Sequence, residues 1–232
     1  MPEKKFTRCA ELSFAIGIVL LGLGTSLMSK AGFGMSMVVA PAYVLSDLWP
    51  GVSTGTMCYV YQGILVLITC LLRRRFRLSY LFSFLSAVLF GWMVDFFSNF
   101  CFAGIVNPGL GARILLFCVG LPINSVSIAF LLHTYFPPQA PELFVKELAG
   151  LIQKDIYKVK YAYDLFSLLL SVGLSLLFFR EFRYIGVGTF ICAFLNGPII
   201  GLTGRFLDKI ADFSPFFPKL GKFFLEGEKS DS

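Results

Sequence analysis

Four polar side chains stand inside long apolar runs, and their chemistry has to be accounted for first. Asp95 follows Gly91 by four residues, and Asp164 opens a later run. Asn124 comes just after Pro122, beside Ser125 and Ser127, and Asn196 directly precedes Gly197–Pro198. A carboxylate at the centre of a bilayer costs at least ~2.5–3.5 kcal/mol, so it either serves a pathway or is tied to a partner. An asparagine there can hold a solute, or it can bond a neighbouring helix for about 0.6 kcal/mol. Gln62 and the serines read more simply as such interhelical glue. Asp95, Asn124, Asp164 and Asn196 are therefore the candidate substrate-binding lining, with Asp95 or Asp164 as a candidate proton or cation site.

Other chemistries find no support. The six cysteines, Cys9, Cys58, Cys70, Cys101, Cys118 and Cys192, contain no C-x-x-C pair, and His133 is the single histidine. No zinc or haem set can be assembled locally from these. Nucleotide-binding and catalytic signatures such as G-x-x-x-x-G-K-[ST] and H-E-x-x-H do not occur. The expectation is no enzyme, no metal and no cofactor.

The elements that must position these residues are membrane helices. Of 232 residues, 56% are apolar, 16% aromatic and 15% charged, against about 25% charged in a soluble domain. Crossing the hydrocarbon takes roughly 17–25 mostly apolar residues. Six stretches meet this: Leu12–Met28, Thr54–Leu72, Leu78–Val94 (extendable to Phe102), Ile114–Leu132, Tyr161–Phe179 and Tyr184–Gly204. Lys4, Lys5 and Arg8 before the first one resemble a signal-peptide n-region, but no A-x-A-like site follows, so it is expected to be retained. A seventh apolar stretch, Ala31–Ser46, is interrupted by Gly32, Gly34 and Pro41.

Charge asymmetry decides between six and seven crossings. With six, 16 of the 20 basic residues fall on one side, leaving Lys30, Arg113, Arg180 and Arg183 on the other. Counting Ala31–Ser46 as a crossing would move the Arg73–Arg77 cluster to the wrong side. Six spans with both termini cytoplasmic are expected, and Ala31–Ser46 becomes a re-entrant or interfacial element. The net charge of +6 then belongs to a membrane surface and not to nucleic acid.

The two halves match at an offset of 106 residues. Phe76–Arg77 corresponds to Phe182–Arg183, Ala87 to Ala193, Leu89 to Leu195 and Gly91 to Gly197. Each half has one span, then a broken or amphipathic segment, then two spans joined by an Arg-containing turn. Three spans per half puts the halves in the membrane with opposite orientation, an inverted repeat. The expected organisation is one membrane domain over 1–232, with repeats at 11–102 and 111–206 and a cytoplasmic tail at 207–232. In the second half the broken segment is Pro137–Lys154. Phe144, Leu148, Leu151 and Ile152 fall on one helical face and Glu142, Lys146, Glu147 and Lys154 on the other, which predicts a helix lying in the cytoplasmic interface. Ala87-x-x-x-Gly91 and Gly197-x-x-x-Gly201 are close-packing motifs by default.

Over nearly its whole length the chain resembles the YczE-like family of bacterial integral membrane proteins. The resemblance rests on Gly22–Ala42 running into Tyr43–Ser46, on Leu72–Phe76, on Gly91-x-x-x-Asp95, on Asp164, and on Gly188–Gly197 ending in Pro198. The chain departs from that pattern at Met37, where the family tends to carry Pro, and at Gly186–Val187, where it tends to carry charge. The resemblance implies a polytopic protein of the bacterial cytoplasmic membrane and supplies no substrate.

The fold class expected is all-α, with six transmembrane helices in two inverted repeats. The expected function is a small-solute transporter or permease with a midplane site between the repeats. A non-transporting substrate-capture subunit or a regulatory or structural membrane protein is the alternative. The partners expected are the lipid bilayer, a small solute or ion, and a second copy or partner subunit.

Overall fold

Backbone N–H and C=O groups find no water in hydrocarbon, so a spanning segment has to satisfy them internally as a helix. The computed structural model describes residues 6–7, 10–154 and 156–214, and within them the chain is mostly helical. In order come α1 (Ala10–Ala31), α2 (Ala40–Leu48), α3 (Thr54–Arg73), α4 (Leu78–Phe96, continued by a π-helical turn, Phe97–Cys101), α5 (Leu110–Leu132), α6 (Ala140–Ile152), α7 (Ile156–Phe179) and α8 (Val187–Ile210). Six of them, α1, α3, α4, α5, α7 and α8, are long and apolar enough to cross a membrane. Each coincides with one of the six spans expected from the sequence. Strand pairing among the described residues is confined to β1 (Phe6–Thr7) with β2 (Ala211–Asp212), in parallel. It brings the start of α1 and the end of α8 to one face. The tail residues beyond 214, including Phe216 and Phe217, lie outside the described residues.

The centre is an antiparallel crossing of α1 and α5. The Ser13 hydroxyl donates to the Phe130 carbonyl at 2.7 Å, and at the other end Arg113 donates to the carbonyls of Ala31 (2.7 Å) and Gly32 (2.9 Å). Each helix thus satisfies carbonyls at the other's C-terminal end that helical geometry leaves open. Between these contacts the backbones touch: a Cβ at Gly24 would lie 2.7 Å from the Asn124 nitrogen. On the flanks, α4 packs on α1 and α8 on α5, while α3 packs on α4.

The α3–α4 contact shows what the small residues do. A Cβ on Gly55 would lie 2.0 Å from the Gly91 carbonyl, and one on Gly91 would lie 2.4 Å from the Gly55 carbonyl. The repeat-related glycines behave differently, since Gly197 and Gly201 face open space. One small-residue motif is a packing face and the other is not. Gly91→Ala should therefore force the helices apart, costing about 1–3 kcal/mol. Gly197→Ala should be neutral or stabilise by roughly 0.5–1 kcal/mol through helix propensity. Thermal unfolding in detergent distinguishes the two; equal melting points would contradict the packing.

The short helices do not cross. At 1.5 Å per residue, nine-residue α2 is about 14 Å long. Both ends of its segment return to one turn: Met35 N–H donates to the Tyr184 carbonyl at 3.1 Å, and Asp47 meets Arg183 at 2.9 Å. Gly34, at φ +106°, supplies a bend that only glycine makes without strain. Helix α6 is held likewise at the opposite face, by Ser83 donating to the Pro138 carbonyl and by Arg73 on Glu147. The sequence placed Glu147 on the wet face of an interfacial helix. Instead Glu147 is buried, as are Leu143, Val145 and Ala149, because α6 docks onto α3, α4 and α7, while Leu151 and Ile152 remain exposed.

Candidate functional site

The four polar residues singled out by their cost in hydrocarbon are each engaged by a neighbour. Asp95 accepts from the Ser53 hydroxyl at 2.5 Å and from the Gly55 N–H at 2.7 Å. It caps the start of α3 from across the helix pair, together with Ser53, whose own oxygen accepts from Thr56 N–H. Asp95→Ala should cost about 1–2 kcal/mol, the loss of a helix cap. Asp95→Asn, which still accepts from Gly55, should cost less. Melting curves of the two variants check this, and an Asn variant as unstable as the Ala one would show that charge matters beyond the cap.

Asn124 donates to the Thr25 hydroxyl on α1 at 3.0 Å, and Asn196 on α8 accepts from Ser125 at 2.8 Å. These two meet on consecutive residues of α5 and tie three helices together. Asp164 sits at the α6 face in an ion pair with Lys160 at 3.0 Å, and Lys160 also reaches Glu142 at 3.5 Å. The asparagines therefore lie together, and the two aspartates lie at opposite ends of the fold.

A different set of side chains converges between α3 and α7. The backbones of these helices do not pack on each other; α2 fills the space between them at one face and α6 at the other. One side of α3 carries Thr54, Cys58, Tyr61 and Thr69 at helical spacing, and α7 answers with Tyr163, Ser167, Ser171 and Ser175, each four residues on. Tyr61 comes alongside Tyr163 and Ser167. Tyr61, Tyr163 and Ser167 are all at least nine-tenths buried, and their hydroxyls come close enough to interact with one another, yet those of Tyr163 and Ser167 make no hydrogen bond of good geometry among the described residues. The same holds for Gln62 Oε1 and for the Tyr43 hydroxyl on α2. A buried polar atom left unsatisfied costs roughly 1–3 kcal/mol, so the adjacent hydroxyls of Tyr163 and Ser167 call for an explanation.

Each end of this seam is bridged by charge. At the α2 face, Arg183 pairs with Asp47 at 2.9 Å and with Glu181 at 2.6 Å, and the Tyr184 hydroxyl donates to Asp47 at 3.1 Å. Burial, and then the Asp47 carboxylate, push the Tyr184 phenol above its ordinary value, so it stays a donor through the neutral range. Beside this bridge opens a polar recess of about 370 Å³, reached by Ser46, Ser53, Thr54 and Asn99. At the α6 face, Glu147 accepts from Arg73 at 2.5 Å and lies 3.6 Å from Arg77. The space there between Thr69, Arg73, Phe144 and Glu147 has no room for water.

Sequence reasoning missed Asp47, Tyr61, Tyr163 and Ser167. A tyrosine in a span reads as apolar filling, and Asp47 reads as an ordinary loop residue. The repeat held the one available signal: Arg77 and Arg183 stand 106 residues apart, and each closes one end of the seam.

No curated protein and no solved structure is detectably similar to the chain. Residues 9–205 match the model of a family of unknown function, DUF6198, and the chain, a multi-pass helical membrane protein by its fold, belongs to that family.

Proposed function

We propose that the protein is a small-solute carrier built as an inverted repeat, with its pathway between α3 and α7. One observation carries this reading: each half clasps the short helix of the other. The α7–α8 turn holds α2 through Arg183, and the α3–α4 turn holds α6 through Arg73 and Arg77. Some further contacts obey the same exchange of halves, since α1 packs α4 as α5 packs α8, and α3 packs α6 as α7 packs α2, whereas the α3–α4 packing has no equal between α7 and α8. The antiparallel crossing of α1 and α5 supports opposite orientations for the two halves, the geometry from which secondary transporters build two alternately opened faces around a central site.

The asymmetry of basic residues puts the α6 face and both termini in the cytoplasm. The resemblance to the YczE-like family supports a bacterial cytoplasmic membrane as its location. In this reading Asp95 and Asp164 mark the two mouths of the pathway, and Asn124 and Asn196 fasten the helices behind it. The alternative, a substrate-capture or regulatory subunit, differs in needing a partner to move anything. Proteoliposomes containing only this chain, offered a pooled mixture of small polar metabolites, should take up one or more of them faster than empty liposomes. Uptake indistinguishable from empty liposomes would favour the subunit.

A further inference from the structure

We infer that the buried Tyr61–Tyr163–Ser167 cluster between α3 and α7 is a binding site for a small uncharged solute rich in hydroxyl groups. This rests on the carrier reading and narrows it to a site and a ligand class.

The cluster's chemistry selects the class. Its side chains offer phenol and alcohol hydroxyls, and every hydroxyl both donates and accepts. The guest that satisfies such a set carries donors and acceptors of its own and no full charge. The nearest charges are already matched: Lys160, whose ammonium lies 5.6 Å from the Tyr163 ring, sits between Glu142 and Asp164. Held by both carboxylates, the ammonium is not left for an anion. Among the described residues no group of three or more His, Cys, Asp or Glu side chains converges to hold a metal ion.

The way in starts at the recess at the α2 face. Ser46 and Thr54 border it, and Cys58 and then Tyr61 follow Thr54 inward on the same side of α3. Tyr43 on α2 closes the space above, its ring 5.3 Å from that of Tyr184 and its hydroxyl unpartnered. On the far side the Phe144 ring of α6 lies 5.6 Å from Tyr163. The cluster therefore lies between an aromatic side chain from each short helix, the two elements the bridges hold shut.

Tyr163→Phe and Ser167→Ala remove one hydroxyl each with little change of shape. If these hydroxyls served only structure, their loss would lower the melting temperature. As unpartnered groups awaiting a guest, they should leave it unchanged or raised. The test uses the full chain in proteoliposomes, with stopped-flow light scattering after addition of glycerol, erythritol or xylitol. At least one of these should enter several-fold faster than into empty liposomes, and both variants should remove most of that excess while folding normally. Polyol entry equal to empty liposomes, alongside uptake from the metabolite pool, would overturn the ligand class and leave the carrier reading standing. Faster water movement without polyol entry would do the same and assign the cluster to water. Polyol entry unaffected by either variant would overturn the site. No uptake of polyols or of the pool would remove the carrier reading and this inference together.

Discussion

Replacing Arg183 by glutamine should expose Cys58 to thiol reagents added from the α2 face. Cys58 is 1% exposed and lies on α3 one helical turn beyond Thr54, under the bridge that Arg183 makes with Asp47. The variant loses the charge that holds α2 to the α7–α8 turn, while Tyr184 keeps its bond to the same carboxylate. A hydrogen bond to a charged group is worth about 1.5–3 kcal/mol. The Arg183 side chain is 37% exposed, so solvent screening favours the lower end. A shift near 1.4 kcal/mol is tenfold in population. With Cys58 as the only cysteine, its labelling by a membrane-impermeant reagent should therefore speed up about tenfold over the parent. The carrier reading adds a second arm, in which Glu147→Gln loosens the opposite end and slows that labelling. Cys58 protected equally in the parent and in Arg183→Gln would mean that this bridge does not close the seam.

Glu147→Ala should be among the most destabilising single changes in the protein. Removing one partner of a buried ion pair typically costs about 3–5 kcal/mol, because the other charge is left without compensation. Here the glutamate side chain is 10% exposed and Arg73 and Arg77 are each 30% exposed. The arginines can swing toward lipid headgroups, which places the expected loss near the lower end, about 3 kcal/mol. Glu147→Gln retains an acceptor for Arg73 and should lose less. The change should appear as a lowered melting temperature in detergent and as lower folded yield. An unchanged melting point for the Ala variant would show that α6 is held by its apolar contacts alone.

The crossings were legible because their signal is collective: about twenty apolar residues and the placement of arginines between them do not depend on which helix neighbours which. Ala31–Ser46 yielded to the same bookkeeping of basic loops, and the return of Met35 and Asp47 to one turn agrees with it. Partnership was not legible. Helical periodicity shows that α6 has a polar face, yet it cannot say that Arg73 and Arg77 come to meet Glu147, 74 residues from Arg73 in sequence. The same blindness made two small-residue motifs look alike when one meets Gly55 and the other meets nothing. It also hid the hydroxyl cluster, whose members belong to two helices that never follow one another in the chain. Residue cost did point to four real anchors; it could not tell an anchor from a site.

The exchanged clasps have a consequence for how the protein is made. Asp47 leaves the ribosome 136 residues ahead of Arg183. At 5–20 residues per second, α2 waits roughly 7–27 s for the turn that holds it. Throughout that interval the nascent chain has to keep a carboxylate-bearing, half-apolar segment at the membrane surface with its eventual binding place not yet synthesised. Helix α6 has no such wait, because Arg73 and Arg77 are already in place when it appears. Biogenesis is therefore one-sided where the finished fold is two-sided. A chain stopped before α7 carries its first short helix unclasped, and such a product is the one that quality-control proteases should recognise.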